Sequence, residues 1–109
     1  MSDILKVLGQ VEAPSVTPTL LYVTPDLAST TTSSICICNK AAAAGTFRIS
    51  IRVAGVGPDD SQYLFYDAPV EANSTVIAVI GMTLAESDEV YVYANTANFS
   101  FNLFGVETR

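Results

Sequence analysis

Two acidic clusters stand out in this 109-residue chain, Asp59-Asp60 after Gly57-Pro58 and the group Glu86, Asp88 and Glu89. Paired carboxylates divide acid and base duties in glycoside hydrolysis when roughly 5–9.5 Å apart, and grouped carboxylates hold calcium. Neither cluster brings what those chemistries also require. The Asp-x-Asp-x-Asp-Gly calcium loop is missing and no subsite residues flank the pairs, so both are expected as solvated turn carboxylates. Cys36-Ile37-Cys38 is the next candidate. Along a strand its two thiols leave one face about 6.6 Å apart, without the close Cβ approach of a disulfide, and a metal would need two more ligands. They are expected as buried, reduced thiols. Ser and Thr are plentiful, but a hydroxyl nucleophile needs a base, the chain has no His, and Gly-x-Ser-x-Gly, Ser-x-x-Lys and a phosphate-cradling glycine loop are absent. No catalytic, cofactor or metal residue is assigned, and the chain is expected not to be an enzyme.

What remains is contact chemistry. Tyr63, Phe65 and Tyr66 in one segment and Tyr91 and Tyr93 in another supply large amphipathic side chains of the kind enriched at protein interfaces. Near the N-terminus, Ile4, Leu5, Val7 and Leu8 precede a break at Pro14 and Pro18. Ile4, Leu5, Val7, Leu8, Tyr66, Tyr91 and Tyr93 are therefore the candidate partner interface. Residues 1–18 are expected as an arm reaching a neighbour or as an edge strand, because the two prolines block regular ladder pairing.

The elements that must position these side chains are strands. Phe47, Ile49, Ile51 and Val53 alternate with Thr46, Arg48, Ser50 and Arg52, a period of two with one dry and one wet face. Ile35 and Ile37 alternate with Ser34, Cys36 and Cys38; Val90, Val92 and Ala94 with Tyr91 and Tyr93; Phe99, Phe101 and Leu103 with Ser100, Asn102 and Phe104. The last two segments are apolar on both faces, which calls for cover beyond a two-layer core. Segments near 4–11, 20–24, 63–66 and 76–81 complete about eight strands, separated by turn-forming Pro, Gly, Asn and Asp. Ala41–Ala44, closed by Gly45, reads as a turn despite its helix propensity. The expectation is a single all-β domain over 1–109, an antiparallel β-sandwich with jelly-roll or immunoglobulin-like topology.

Charge and composition narrow the partners. Five Lys plus Arg against eleven Asp plus Glu give a net charge of −6, with no basic stripe, which disfavours nucleic acid. No apolar run reaches the roughly 18–20 residues that span a bilayer, and Met1-Ser2-Asp3 lacks the basic start of a secretory signal, so a soluble chain made in the cytosol, with no membrane partner, is expected. A chain this short has a thin core, for which association with further copies is a common source of stability.

The runs Ser34-Ile35-Cys36-Ile37-Cys38-Asn39-Lys40, Thr46–Gly55 and Tyr63-Leu64-Phe65-Tyr66-Asp67, followed by Ala72–Thr75, Leu84–Tyr93 and Asn98–Gly105, resemble small structural proteins of tailed bacteriophages, those infecting cyanobacteria included. The resemblance covers most of the chain beyond about residue 20; it departs at Ser87-Asp88, where such proteins often carry Gly before Asp. It implies a β-sandwich virion subunit, made in the host cytoplasm: a capsid cement (decoration) protein on the shell exterior, bound to major capsid protein and assembled as a trimer, or a component of the tail or baseplate acting as an adaptor or receptor-binding knob among tail proteins.

Overall fold

The computed structural model describes residues 2–109; Met1, the first residue of the stretch expected as an arm or edge strand, lies outside the described residues. The described residues form nine strands, β1 (Asp3–Glu12), β2 (Thr19–Val23), β3 (Ser29–Asn39), β4 (Gly45–Arg52), β5 (Tyr63–Val70), β6 (Ser74–Ala78), β7 (Thr83–Leu84), β8 (Glu89–Ala94) and β9 (Phe99–Thr108). Single 3-10 turns at Val53–Gly55 and Asp60–Gln62 interrupt the link between β4 and β5. Alternation drives these assignments: in β9 the residues Phe99, Phe101, Leu103, Gly105 and Glu107 are buried, and those between them are half-exposed. The Ser/Thr run from Ser29 joins β3, extending it to eleven residues, and the alanine run stays a bend.

All pairings between the strands are antiparallel, and they fall into two sheets. One runs β1-β9-β3-β6, with the short β7 also on β3; the other runs β2-β8-β4-β5. The direct partners β1·β9, β2·β8, β3·β6 and β4·β5 are those of one long hairpin ribbon, and the pairs β9·β3 and β8·β4 arise when that ribbon is rolled upon itself. This is the jelly-roll order, which decides between the two topologies left open by strand spacing. The ninth strand, β7, is a two-residue addition.

Between the sheets lies a core of Phe47, Phe99, Phe101, Ile35, Ile37, Ile49 and Leu103, each at most 1% exposed. Phe47 of the second sheet meets Phe101 of the first edge-on, centroids 6.4 Å apart. Buried polar side chains tie down the loops at the ends. Asn39 donates from Nδ2 to the carbonyls of Ala43, Val70 and Glu71 and accepts from the Ala41 amide, while Asp88 accepts from the amides of Ala54 and Ala85.

Two expectations need correction. Asp88, expected as a solvated turn carboxylate, is only 8% exposed and is bound by the backbone amides of Ala54 and Ala85, which its position between β7 and β8 brings to it. Cys36 and Cys38 are not buried: Ile35, Ile37 and Asn39 take the inner side of β3, so alternation turns both thiols outward, where they are free and half-buried. Of the two alternatives for the N-terminal segment, arm or edge strand, the described residues Asp3–Glu12 take the edge strand. They pair along β9 from Asp3↔Thr108 to Glu12↔Ser100. The prolines act after it, where the chain crosses to the other sheet through fully buried Ala13 and a bridge from Ser15 to Ala94.

Candidate functional site

The outer face of the β2-β8-β4-β5 sheet carries a cluster of tyrosines and arginines. With Phe47 and Ile49 turned inward, Arg48, Ser50 and Arg52 of β4 point outward, opposite Tyr93, Tyr91 and Glu89 of β8. The other side is shaped by bulges in β5. Phe47 pairs with Ala68 and Ile49 with Phe65, so the single residue Arg48 faces both Tyr66 and Asp67. Asp67 adopts a φ of 51° there. A second irregularity at Leu64 brings Tyr63 onto the face of Tyr66, their rings edge-to-face at 5.0 Å. Phe65 turns in against Phe47, centroids 5.5 Å apart.

The geometry assigns each cation a different role. The Arg48 guanidinium sits 4.1 Å from the Tyr66 centroid and 4.3 Å from that of Tyr93, and grips Asp67 with Nε–Oδ1 at 2.7 Å and Nη2–Oδ2 at 3.3 Å. That hydrogen bond drives its pKa further up, so Arg48 is a neutralised strut between aromatic rings. Arg52 lies 3.7 Å over Tyr91 and forms no ion pair among the described residues. The cover that β8 required on its second face is thus supplied largely within the chain by arginines, each stacked contact being worth about 0.5–2 kcal/mol depending on desolvation.

The opposite outer face, on the β1-β9-β3-β6 sheet, is apolar at its centre. Leu5 opposes Val106 and Val7 opposes Phe104; β3 sets Thr31 beside Val106 and Ser34 beside Phe104, and Cys36 lies between Asn102 and Ile77. Leu5 is 81% exposed, Ile77 64% and Val7 46%. Charged side chains flank this set: Asp3 beside Thr108 at one end, Glu12 paired with Lys40 at the other.

The seven candidate interface residues are therefore divided. Tyr66, Tyr91 and Tyr93 share the tyrosine–arginine face, Leu5 and Val7 the apolar face on the far side of the sandwich. Ile4 sits at the sheet margin on the side of Glu107. Leu8, at a bulge between Val7 and Gly9, follows outward-facing Val7 and points into the core, so it is not free for a partner. Sequence reasoning named Tyr63 as contact chemistry without including it in the candidate interface, and it missed Arg48 and Arg52.

It also missed a buried polar network at one end. Glu107, 1% exposed, accepts from the Tyr22 hydroxyl at 2.6 Å through Oε2, while Arg109 at 3.1 Å and Lys6 at 3.6 Å approach Oε1. Thr30 Oγ1 lies 2.8 Å from the same hydroxyl, with the geometry to donate to it. The Tyr22 hydrogen bond, helped by Arg109 and Lys6 against the cost of burial, holds the Glu107 carboxyl below its ordinary range. Burial and that carboxylate push Tyr22 up to about 12. The alternation of β9, carried past Leu103, places Glu107 inward and is the signal that would have found it.

No family model matches the chain, and no curated protein matches it. Among solved structures it is similar to a pentameric capsid protein isolated from metagenomic phage sequences, with 16% identity and a TM-score of 0.41, over 98% of this chain and 61% of that one. The chain thus spans less than two thirds of that protein's length.

Proposed function

We propose that the protein is a non-enzymatic structural subunit of a tailed-phage virion, and within that class a cement protein on the capsid exterior that braces major capsid protein. The observation that carries this reading is the pair of opposed contact faces: one with an apolar centre around Leu5, Val7 and Phe104, one built from tyrosine and arginine, on a body whose Cα extents are 45 × 27 × 19 Å. A subunit with unlike faces on either side of a thin sandwich can join copies through one and grip a lattice through the other. The jelly-roll topology is one that viral capsid domains use, as do lectins and cupins, so it is compatible with this role without selecting it. The sequence resemblance to phage virion proteins supplies the choice. Assembly as a trimer through Leu5, Val7, Phe104 and Val106 belongs to the same proposal, with the outward side of β1 in place of a free arm.

The test is occupancy and binding together. Quantitative mass spectrometry of purified virions is expected to give hundreds of copies, and shells lacking the protein are expected to bind it saturably. Leu5→Lys on one face or Tyr93→Ala on the other should each reduce that binding. A handful of copies per particle would refute the cement role. It would favour the tail or baseplate reading, for which one feature speaks: a depression of about 500 Å³ lined by Asp60, Tyr63 and Tyr66, aromatic and acidic like a sugar-binding site.

A further inference from the structure

We propose that Arg52 is the floor of a receptor for a single carboxylate, supplied by an acidic segment of a partner protein that lies across the tyrosine–arginine face. Among the described residues, Lys6, Lys40, Arg48 and Arg109 each pair with a carboxylate in the chain; Arg52 is the cation that does not. Its Nε is shielded from water and has no hydrogen-bond acceptor. An orphaned donor of this kind is rare in a folded protein and calls for a partner. Its cross-strand neighbour Glu89 does not serve, since the Glu89 carboxyl lies against Gly55.

The surroundings select the ligand. Arg52 opens into a cleft lined by Pro18, Ser50, Tyr63, Tyr91 and Tyr93, with Arg48 on its far side. Its enclosed volume of about 10 Å³ admits one oxygen-sized group, too little for a sugar ring. The Arg52 guanidinium lies 3.7 Å over the Tyr91 ring, which leaves its N–H edge for one oxygen of a carboxylate. Nε is reached by a turn of the terminal torsions of the side chain. The protein carries a net charge of −6, so a partner that brings further negative charge needs such a local cation to overcome general repulsion.

This deepens the role proposed for the face and rests on it only for the identity of the partner. The probe is N-acetylated, C-amidated triglutamate, with triglutamine blocked in the same way and inorganic phosphate as comparison arms, followed by the Arg52 Nε–H and the Tyr91 and Tyr93 ring signals in NMR titrations. Triglutamate is expected to give saturable shifts that triglutamine does not. Arg52→Gln should weaken binding at least about tenfold, Lys40→Gln, which removes the same charge on the other sheet, should change it less than twofold, and Glu89→Gln should tighten it. Equal responses to phosphate and triglutamate, equal losses in the two charge-removing variants, or no saturable shift would each overturn the carboxylate receptor. Arg52-dependent self-association in sedimentation would overturn the partner segment in favour of a second copy. If Arg52→Gln loses triglutamate but keeps full shell binding, the receptor stands and the proposed role of the face falls. Shell binding lost in Tyr93→Ala with no triglutamate response gives the reverse.

Discussion

Removing one oxygen from the buried network at the end of the sandwich, by Tyr22→Phe, tests whether Glu107 is held charged inside the fold. Tyr22 is the donor to Oε2 of Glu107; Lys6 and Arg109 both approach Oε1 and do not replace it. The variant therefore leaves one oxygen of a carboxylate that is 1% exposed without that donor, and Thr30 without its hydroxyl partner. Losing a hydrogen bond to a buried charged group costs about 2–3 kcal/mol, which for a domain near this size lowers Tm by about 10–20 °C. The pH dependence carries the sharper signature. Because the folded pKa of Glu107 is depressed, its contribution is fully present above the ordinary carboxylate value of 4.5 and is lost as pH falls through the lower folded value. The wild type and Tyr22→Phe should thus converge on acidification. At the alkaline end the sign reverses: Tyr22, raised from 10.0 to about 12, contributes fully below pH 10.0 and loses its contribution as pH rises through about 12. The phenylalanine variant lacks that alkaline limb. Urea melts across pH 3–7 and pH 9–12 measure both arms. A loss below about 0.5 kcal/mol, or a wild-type to variant gap that stays constant between pH 7 and pH 3, would refute a charged Glu107 held by Tyr22.

Gly105→Ala is expected to destabilise by about 2 kcal/mol or more, because a Cβ there stands 2.5 Å from the Thr31 carbonyl oxygen and 2.8 Å from Thr32 Cα, backbone that cannot swing aside; an unchanged denaturation midpoint would contradict the tight β9·β3 approach. Deleting residues 2–11 removes β1, uncovers the edge of β9 and takes Lys6 from Glu107, so the truncated chain should aggregate or lose most of a stability of about 5–15 kcal/mol; a near-native melt would show that β1 is detachable. Cys36 and Cys38, half-buried on an outer face, should both react with a small disulfide reagent in the native protein, as followed by absorbance, with complete protection refuting that placement.

Strand content was legible because a period of two is written in single residues: the alternation of Phe47, Ile49 and Ile51 with Arg48, Ser50 and Arg52 needs no knowledge of what lies beside β4. The same rule located the cysteines once followed strictly, since a strand that buries Ile35 and Ile37 cannot also bury Cys36 and Cys38. Topology was not legible from spacing. A jelly roll and an immunoglobulin-like sandwich share strand lengths and turn chemistry and differ in which edges meet, a property of the rolled ribbon and not of any one segment.

The tyrosine–arginine face shows where the limit lies. Alternation counted from Tyr66 sends Tyr63 to the opposite side of β5, and it gives Asp67 no reason to meet Arg48. Both relations hold because β5 carries more residues than β4 over the same span, with Leu64 and the Tyr66-Asp67 pair unmatched in the ladder. A bulge in one strand is defined by its partner's count, so no inspection of Tyr63–Asp67 alone can reveal it. Each local shift reverses the side on which later residues emerge. Tyr63 and Tyr66 thereby join Tyr91 and Tyr93 on one surface, and two arginines scattered among ordinary strand positions become its centre. Arg48 is then consumed by Asp67 and Arg52 is left open, so the chemistry of the face is decided by a register that pairs one arginine and spares the other.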